Sequence, residues 1–242
     1  MNATVTGPGI VFTIPLLGGI RVSETIVNSW LIMAVLTVLA FWLTRDLKVR
    51  NPGKKQIVAE KLVLTVQSLV KEVMGVKNIA FVPYIGALFA FSMFSSLSSV
   101  TGLRPPTGDL NTTLGWALVT FFMVQFFNIK NKGLWGWIKG FFEPVVLMAP
   151  LNLIGEIANP ISMAFRHFGN IASGIVITTL LYGALAKISE ICLGWIPFIG
   201  TIPLLQAGVP ALLSIYFDVF TSFLQAYIIS MLTMVYVSAA NE

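Results

Sequence analysis

The chain has 242 residues, of which 56% are hydrophobic and only 10% charged. A soluble domain carries about a quarter charged residues, so a mean hydropathy of +0.86 excludes that class and marks a polytopic membrane protein. The net charge of +5 does not indicate a nucleic-acid partner, because eight bases (Arg45, Lys48, Arg50, Lys54, Lys55, Lys61, Lys71 and Lys77) fall between two hydrophobic runs, the pattern of a cytoplasmic loop.

The opening residues, MNATVTGPGIVFTIPLLGG, contain no basic stretch. They predict no cleaved signal peptide, an external segment over 1–25, and a bacterial plasma membrane as the simplest location. Ile26 to Thr44 is long enough to cross a hydrocarbon core of ~30 Å, with Trp30 and Trp42 placed for the two interfaces. Within the basic loop, IVAEKLVLTVQSLVKEV sets Val58, Leu62, Val66, Leu69 and Val73 on one side at helical spacing. Its charges interrupt it too often for a span, so it reads as an amphipathic helix on the cytoplasmic surface or against a partner.

Phe81 to Val100 is the second span, and TGLRPPTGDLNTT with the single base Arg104 forms the next loop. Leu114 to Ile129 is a short third span, followed by Lys130, Lys132 and Lys139. Charge bias therefore places the N-terminus outside and the first and third loops inside. Residues 26–140 form three spans with basic loops, and 141–242 continue the same single membrane domain.

From Phe141 to Lys187 there are 47 residues with few charges, and Leu204 to Ala239 is a second long run. Pro144, Pro150 and Pro160 can break the first, and Pro203 and Pro210 trim the second. Even so, Ile161 to Lys187 would reach roughly 40 Å at 1.5 Å per residue, and Ala211 to Ala239 about 43 Å. Helices this long must tilt steeply. The expected fold is all-α, with about five membrane-crossing helices and a final inclined hairpin joined outside by ISEICLGWIPFIGT. The single cysteine, Cys192, excludes an internal disulfide and a cysteine-cluster metal site.

Inside the first long run stands PISMAFRHFGN, with Arg166 and the only histidine, His167. An arginine at mid-membrane costs about 2.5–3.5 kcal/mol on insertion scales, although near a span's end it could snorkel for little. Its neighbours argue against snorkelling. Asn152, Glu156, Asn159, Ser162, Arg166, Asn170 and Ser173 recur at steps of three and four, and such a stripe must face water or a protein partner. The last run repeats the pattern with Ser214, Asp218, Thr221 or Ser222, and Gln225. One polar line can be helix–helix glue; two lines holding an arginine and two carboxylates read as an ion path. No phosphate-binding GxxxxGK[ST], HExxH or GxSxG is present, so the chain supplies no nucleotide or hydrolase site and no cofactor is expected.

At these residues the chain resembles subunit a of the F-type ATP synthase, the stationary ion-channel subunit beside the rotating c ring. PISMAFRHFGN (160–170) matches the family's arginine motif, TGDLNTTLGWAL (107–118) its loop-and-span signature, and FLQAYIISMLTMVYV (223–237) its final helix. The resemblance implies a c-subunit ring, peripheral-stalk b subunits and the rest of the synthase complex as partners, with H⁺ or Na⁺ as cargo. It implies that Arg166 faces the carboxylate of each passing c subunit and separates two aqueous half-channels. Asn170 and Gln225 match polar positions close to it. Asp218 is the candidate relay carboxylate of the outer half-channel and Glu156 a second, with Ser162 and Ser222 on the same polar lines. Where family members commonly have leucine, this chain has His167, so His167→Leu is expected to be nearly silent. Some members carry a glutamate where this chain has Ile175. A secondary transporter binding an anion at Arg166 would instead show inverted repeats, which are not visible here.

Overall fold

A computed structural model describes residues 9–15, 19–143, 145–193 and 215–241. The N-terminal segment contains a short antiparallel hairpin of β1 (Ile10–Ile14) and β2 (Ile20–Ser23), ahead of the all-α body that the sequence predicts. Its strands are β-branched and aromatic, and Glu24 N–H closes it by donating to Gly9 O at 2.9 Å. Six longer helices follow: α1 (Glu24–Thr44), α2 (Lys54–Met74), α3 (Val82–Leu97), α4 (Leu110–Phe141), α5 (Ala149–Leu193) and α6 (Thr221–Asn241). Among the described residues, five helical segments are long and apolar enough to cross a membrane, and α2 is not one of them.

The spans make sense from the inside out. α6 lies at the centre, and its small residues Ala226, Ser230, Thr233, Val237 and Ala240 are all buried at heptad-like spacing. Small side chains let neighbouring backbones approach where no water drives helices together. Thr233 meets Thr120 of α4 at 3.1 Å, and Met234 and Val237 pack with Ile85 of α3 and with Val70 and Met74 of α2. A second cluster joins Ala117 of α4, Met163 and Ala164 of α5, and Ile229 of α6. By contrast α1 buries only Thr25, Asn28 and Ile32 and presents the rest of its surface outward. Its N-terminal end is tied by Thr25 Oγ1 donating to Asp109 Oδ2 (2.8 Å) and Asn28 Nδ2 to the Arg104 carbonyl (2.9 Å).

The amphipathic helix divides along its length. Val66, Leu69 and Val73 pack on the core as their spacing predicts, whereas Val58 and Leu62 remain exposed. The third span is longer than its apolar stretch. Asp109 caps it by accepting from Asn111 N–H at 3.0 Å, and it continues past a break at Gly133 (φ +69°) through its basic, tryptophan-rich tail. The prolines do not break α5. Pro150 sits in its first turn, where the missing N–H has no partner to lose, and Pro160 is accommodated within one run of 45 residues. At 1.5 Å per residue this helix is about 67 Å long, so it cannot stand upright in a ~30 Å core. The expected outer connection 188–201 lies largely outside the described residues, as do Pro203, Pro210 and Ser214.

Candidate ion-translocation site

α5 sorts the polar stripe by face. Asn159, Ser162, Arg166, Asn170 and Ser173 are exposed, while Pro160, Met163, Ala164, His167, Ile171 and Gly174 are buried against the bundle. Among the described residues no hydrogen bond or ion pair holds the Arg166 guanidinium. An exposed, permanently charged fork on a helix of this hydropathy requires an occupant on its open side. The upper part of the expected stripe turns inward. Asn152 Nδ2 donates to the carbonyls of Phe141 and Glu143, at 2.9 and 3.0 Å, and fixes the start of α5 to the end of α4.

Glu156 lies half-buried beside α4, where Gln125 Nε2 donates to its Oε1 and Trp137 Nε1 donates to Gln125 Oε1 at 2.9 Å. Glu156, Asn159 and Asn128 open into a cleft of about 190 Å³ between α4, α5 and the C-terminal end of α6. Pro160 lines the same cleft, and because proline has no N–H the Glu156 carbonyl has lost its usual helical donor. A side-chain carboxylate, two amides and a freed carbonyl thus meet at this end of the bundle.

The other polar end lies at the start of α6. Asp218 belongs to a π-helical turn, Ile215–Phe220, that leads into α6. Its Oδ1 accepts from Ser99 Oγ at 3.1 Å, and Ser222 Oγ donates to its backbone carbonyl. Asp218, Ser222 and Gln225 do share the inward face of α6: Asp218 is half-buried and the other two are buried. Gln225, however, makes no hydrogen bond to Arg166 among the described residues, since the one side chain points into the bundle and the other out of it.

Sequence reasoning passed over α3. Ser92, Ser95 and Ser96 are all buried, with Ser99 one turn above in the short helical turn that follows α3. Ser99 meets Asp218, Ser96 meets Thr107 at 3.0 Å, and Ser92 meets His167 Nε2 at 3.4 Å. The repeat of serines at steps of three and four was the available signal. Gln125 and Trp137 gave none, because a lone amide in an apolar span and a loop tryptophan are both common. The polar groups therefore gather in two zones, Asp218 with the α3 hydroxyls at one end and the Glu156 cleft at the other. Arg166 stands between them along α5, about 15 Å from Glu156 by helical rise.

Comparisons with known proteins agree with this architecture. The family described as "ATP synthase A chain" matches residues 26–238. Among similar proteins, "ATP synthase subunit a, sodium ion specific" of Propionigenium modestum is 33% identical, over 98% of this chain and 86% of its own. The "ATP synthase subunit a" proteins of Moorella thermoacetica and Albidiferax ferrireducens are 32% and 35% identical, over 92% and 93% of this chain and 92% and 89% of theirs. On both the extent of the family match and the coverage of these relatives, this multi-pass membrane chain belongs to the ATP synthase subunit a family.

Proposed function

We propose that the chain is the stationary, non-catalytic ion-channel subunit of a rotary ATP synthase, passing H⁺ or Na⁺ between two aqueous half-channels and the carboxylates of a rotating c ring. The observation that carries this reading is an exposed Arg166, unpaired among the described residues, between two separate polar zones at opposite ends of the bundle. Asp218, with Ser222 and the α3 serines, forms the outer route. Glu156 and Ser162 lie toward the inner one, and Asn170 and Gln225 flank the arginine on α5 and α6.

Arg166 acts by charge. At ~4 Å and an effective dielectric of 20, a guanidinium attracts a carboxylate by about 4 kcal/mol, which favours the ion-free carboxylate as each ring subunit passes. The same fixed charge repels cations that would otherwise run directly from one zone to the other. Each charge crossing gains about 2.3 kcal/mol per 100 mV, and the ring can use this only if no such shortcut exists. In this reading nucleotide chemistry and the peripheral-stalk b subunits belong to other chains of the complex, and ion passage through this chain calls for no cofactor. The basic loops at 45–77 and 130–139 support a reading in which the Glu156 cleft faces the cytoplasm of a bacterial cell across its plasma membrane, with the N-terminus outside and the C-terminus inside.

Purifying the tagged chain from its native membrane in mild detergent tests the assignment. A small, very hydrophobic oligomeric ring should come with it, and passive ion conductance through the reconstituted complex should stay low. A chain that purifies without a ring and drives uptake of an organic anion would overturn the reading.

A further inference from the structure

His167 stands where the family commonly has leucine, yet it is held as a polar group. It is 2% exposed, its Nε2 lies 3.4 Å from Ser92 Oγ of α3, and its ring meets Trp116 of α4 edge-on at 5.6 Å. Its Nδ1 is buried without a partner among the described residues, so Ser92 supplies the ring's hydrogen bond. The rest of the buried face of α5 from Pro160 to Gly174 is apolar or small: Met163, Ala164 and Ile171. Such contacts are non-directional and tolerate rotation of a helix about its axis, whereas a hydrogen bond and an edge-on ring contact do not.

We propose that His167 is a positioning residue for Arg166, a polar pin to Ser92 and Trp116 that sets the rotation of α5 and so the direction in which the guanidinium points. The two residues are adjacent, about 1.5 Å apart in rise and about 100° apart around the axis, which leaves little slack between pin and charge. The functional consequence rests on the reading of Arg166 above; the pin itself does not.

The experiment reads the rotation and the function separately. A Cβ at position 108 would stand 3.7 Å from Ile171 Cγ2, one turn along α5 from His167. In a Cys192→Ser background, Gly108→Cys with Ile171→Cys should therefore form a disulfide in the assembled complex under mild oxidation. Contrary to the near-silence expected from the sequence, His167→Leu should lower both the disulfide yield and coupled ATP synthesis by about fivefold, as should Ser92→Ala, the scale of one lost hydrogen bond. His167→Gln, whose amide can reach Ser92, should restore most of both.

Unchanged yield and coupling in the Leu and Ala variants would overturn the proposal, as would a Gln variant no better than Leu. Reduced coupling with normal yield would overturn it too, since His167 would then act otherwise than by orienting α5. Reduced yield with normal coupling would show that Arg166 does not depend on the pin. Failure of all three variants to assemble would assign the pair to folding alone. The reading of Arg166 fails on different evidence, because full coupling in Arg166→Ala leaves the disulfide yield untouched.

Discussion

The two polar zones are built from different materials. Around Asp218 the groups are short hydroxyls: Ser99 bonds the carboxylate, and Ser96, one turn away, bonds Thr107. Around Glu156 they are long amides beside a cleft of about 190 Å³. Short hydroxyls fixed on rigid helices leave a carboxylate with few alternative partners, whereas a cleft of that size with several polar walls has room for water that can replace a lost bond. The Asp218 zone should thus be sensitive to single substitutions and the Glu156 zone forgiving, with Arg166 separating them and intolerant of change.

Arg166 gives the largest expected effect. Arg166→Ala should leave an assembled complex with no ion-driven ATP synthesis and a raised passive leak, measured in proteoliposomes. Arg166→Lys should be nearly as defective, because a compact ammonium can lose its proton in a desolvated site and cannot present a planar fork. Normal synthesis by the alanine variant would remove the centre of the comparison.

Asp218→Asn comes next, with ion translocation slowed by about tenfold or more and assembly spared, on the scale of a lost charged partner in a site of low water content. Asp218→Glu should retain part of the rate. Ser99→Ala should slow translocation by about two- to fivefold, because Ser99 makes one neutral hydrogen bond to the carboxylate. Glu156→Gln should change the rate by less than about twofold, since water in the cleft can take over its bonds. Stopped-flow measurement of ion uptake would rank the four, and a Glu156→Gln defect larger than that of Asp218→Asn would invert the comparison.

Thiol labelling would test whether the two zones open to opposite sides of the membrane. In a Cys192→Ser background, Pro52→Cys and Asn131→Cys should react only from the cytoplasm and Leu103→Cys only from outside. Reaction of Leu103→Cys from the cytoplasm alone would exchange the inner and outer assignments.

The spans were legible because hydrophobic length is a direct physical requirement of the bilayer: α1 and α3 lie within a few residues of their apolar runs. α4 was underestimated because its ends are set by a capping aspartate and a tail that stays helical without being apolar. Proline was overread in α5, where neighbouring helices support a backbone that water would have unravelled. Arg166 announced itself by its cost. The α3 serines did not, since a hydroxyl in a membrane helix can satisfy itself on its own backbone, as Ser98 does on the Ser95 carbonyl. Likewise, the burial of His167 could not be read from its position beside Arg166, because adjacent residues on a helix face different neighbours.

The break at Gly133 reaches further than its place near the end of α4 suggests. Its φ of +69° is a conformation that suits glycine, and it lets the tail of α4 fold so that Trp137 reaches Gln125 on the stem. An indole N–H can only donate, so it takes the amide oxygen of Gln125 and obliges the amide nitrogen to face Glu156. One backbone turn in the tail of α4 thereby fixes the polarity of a hydrogen-bond chain between α4 and α5. Straightening that turn would leave the amide free to flip and to present Glu156 with an oxygen in place of a donor.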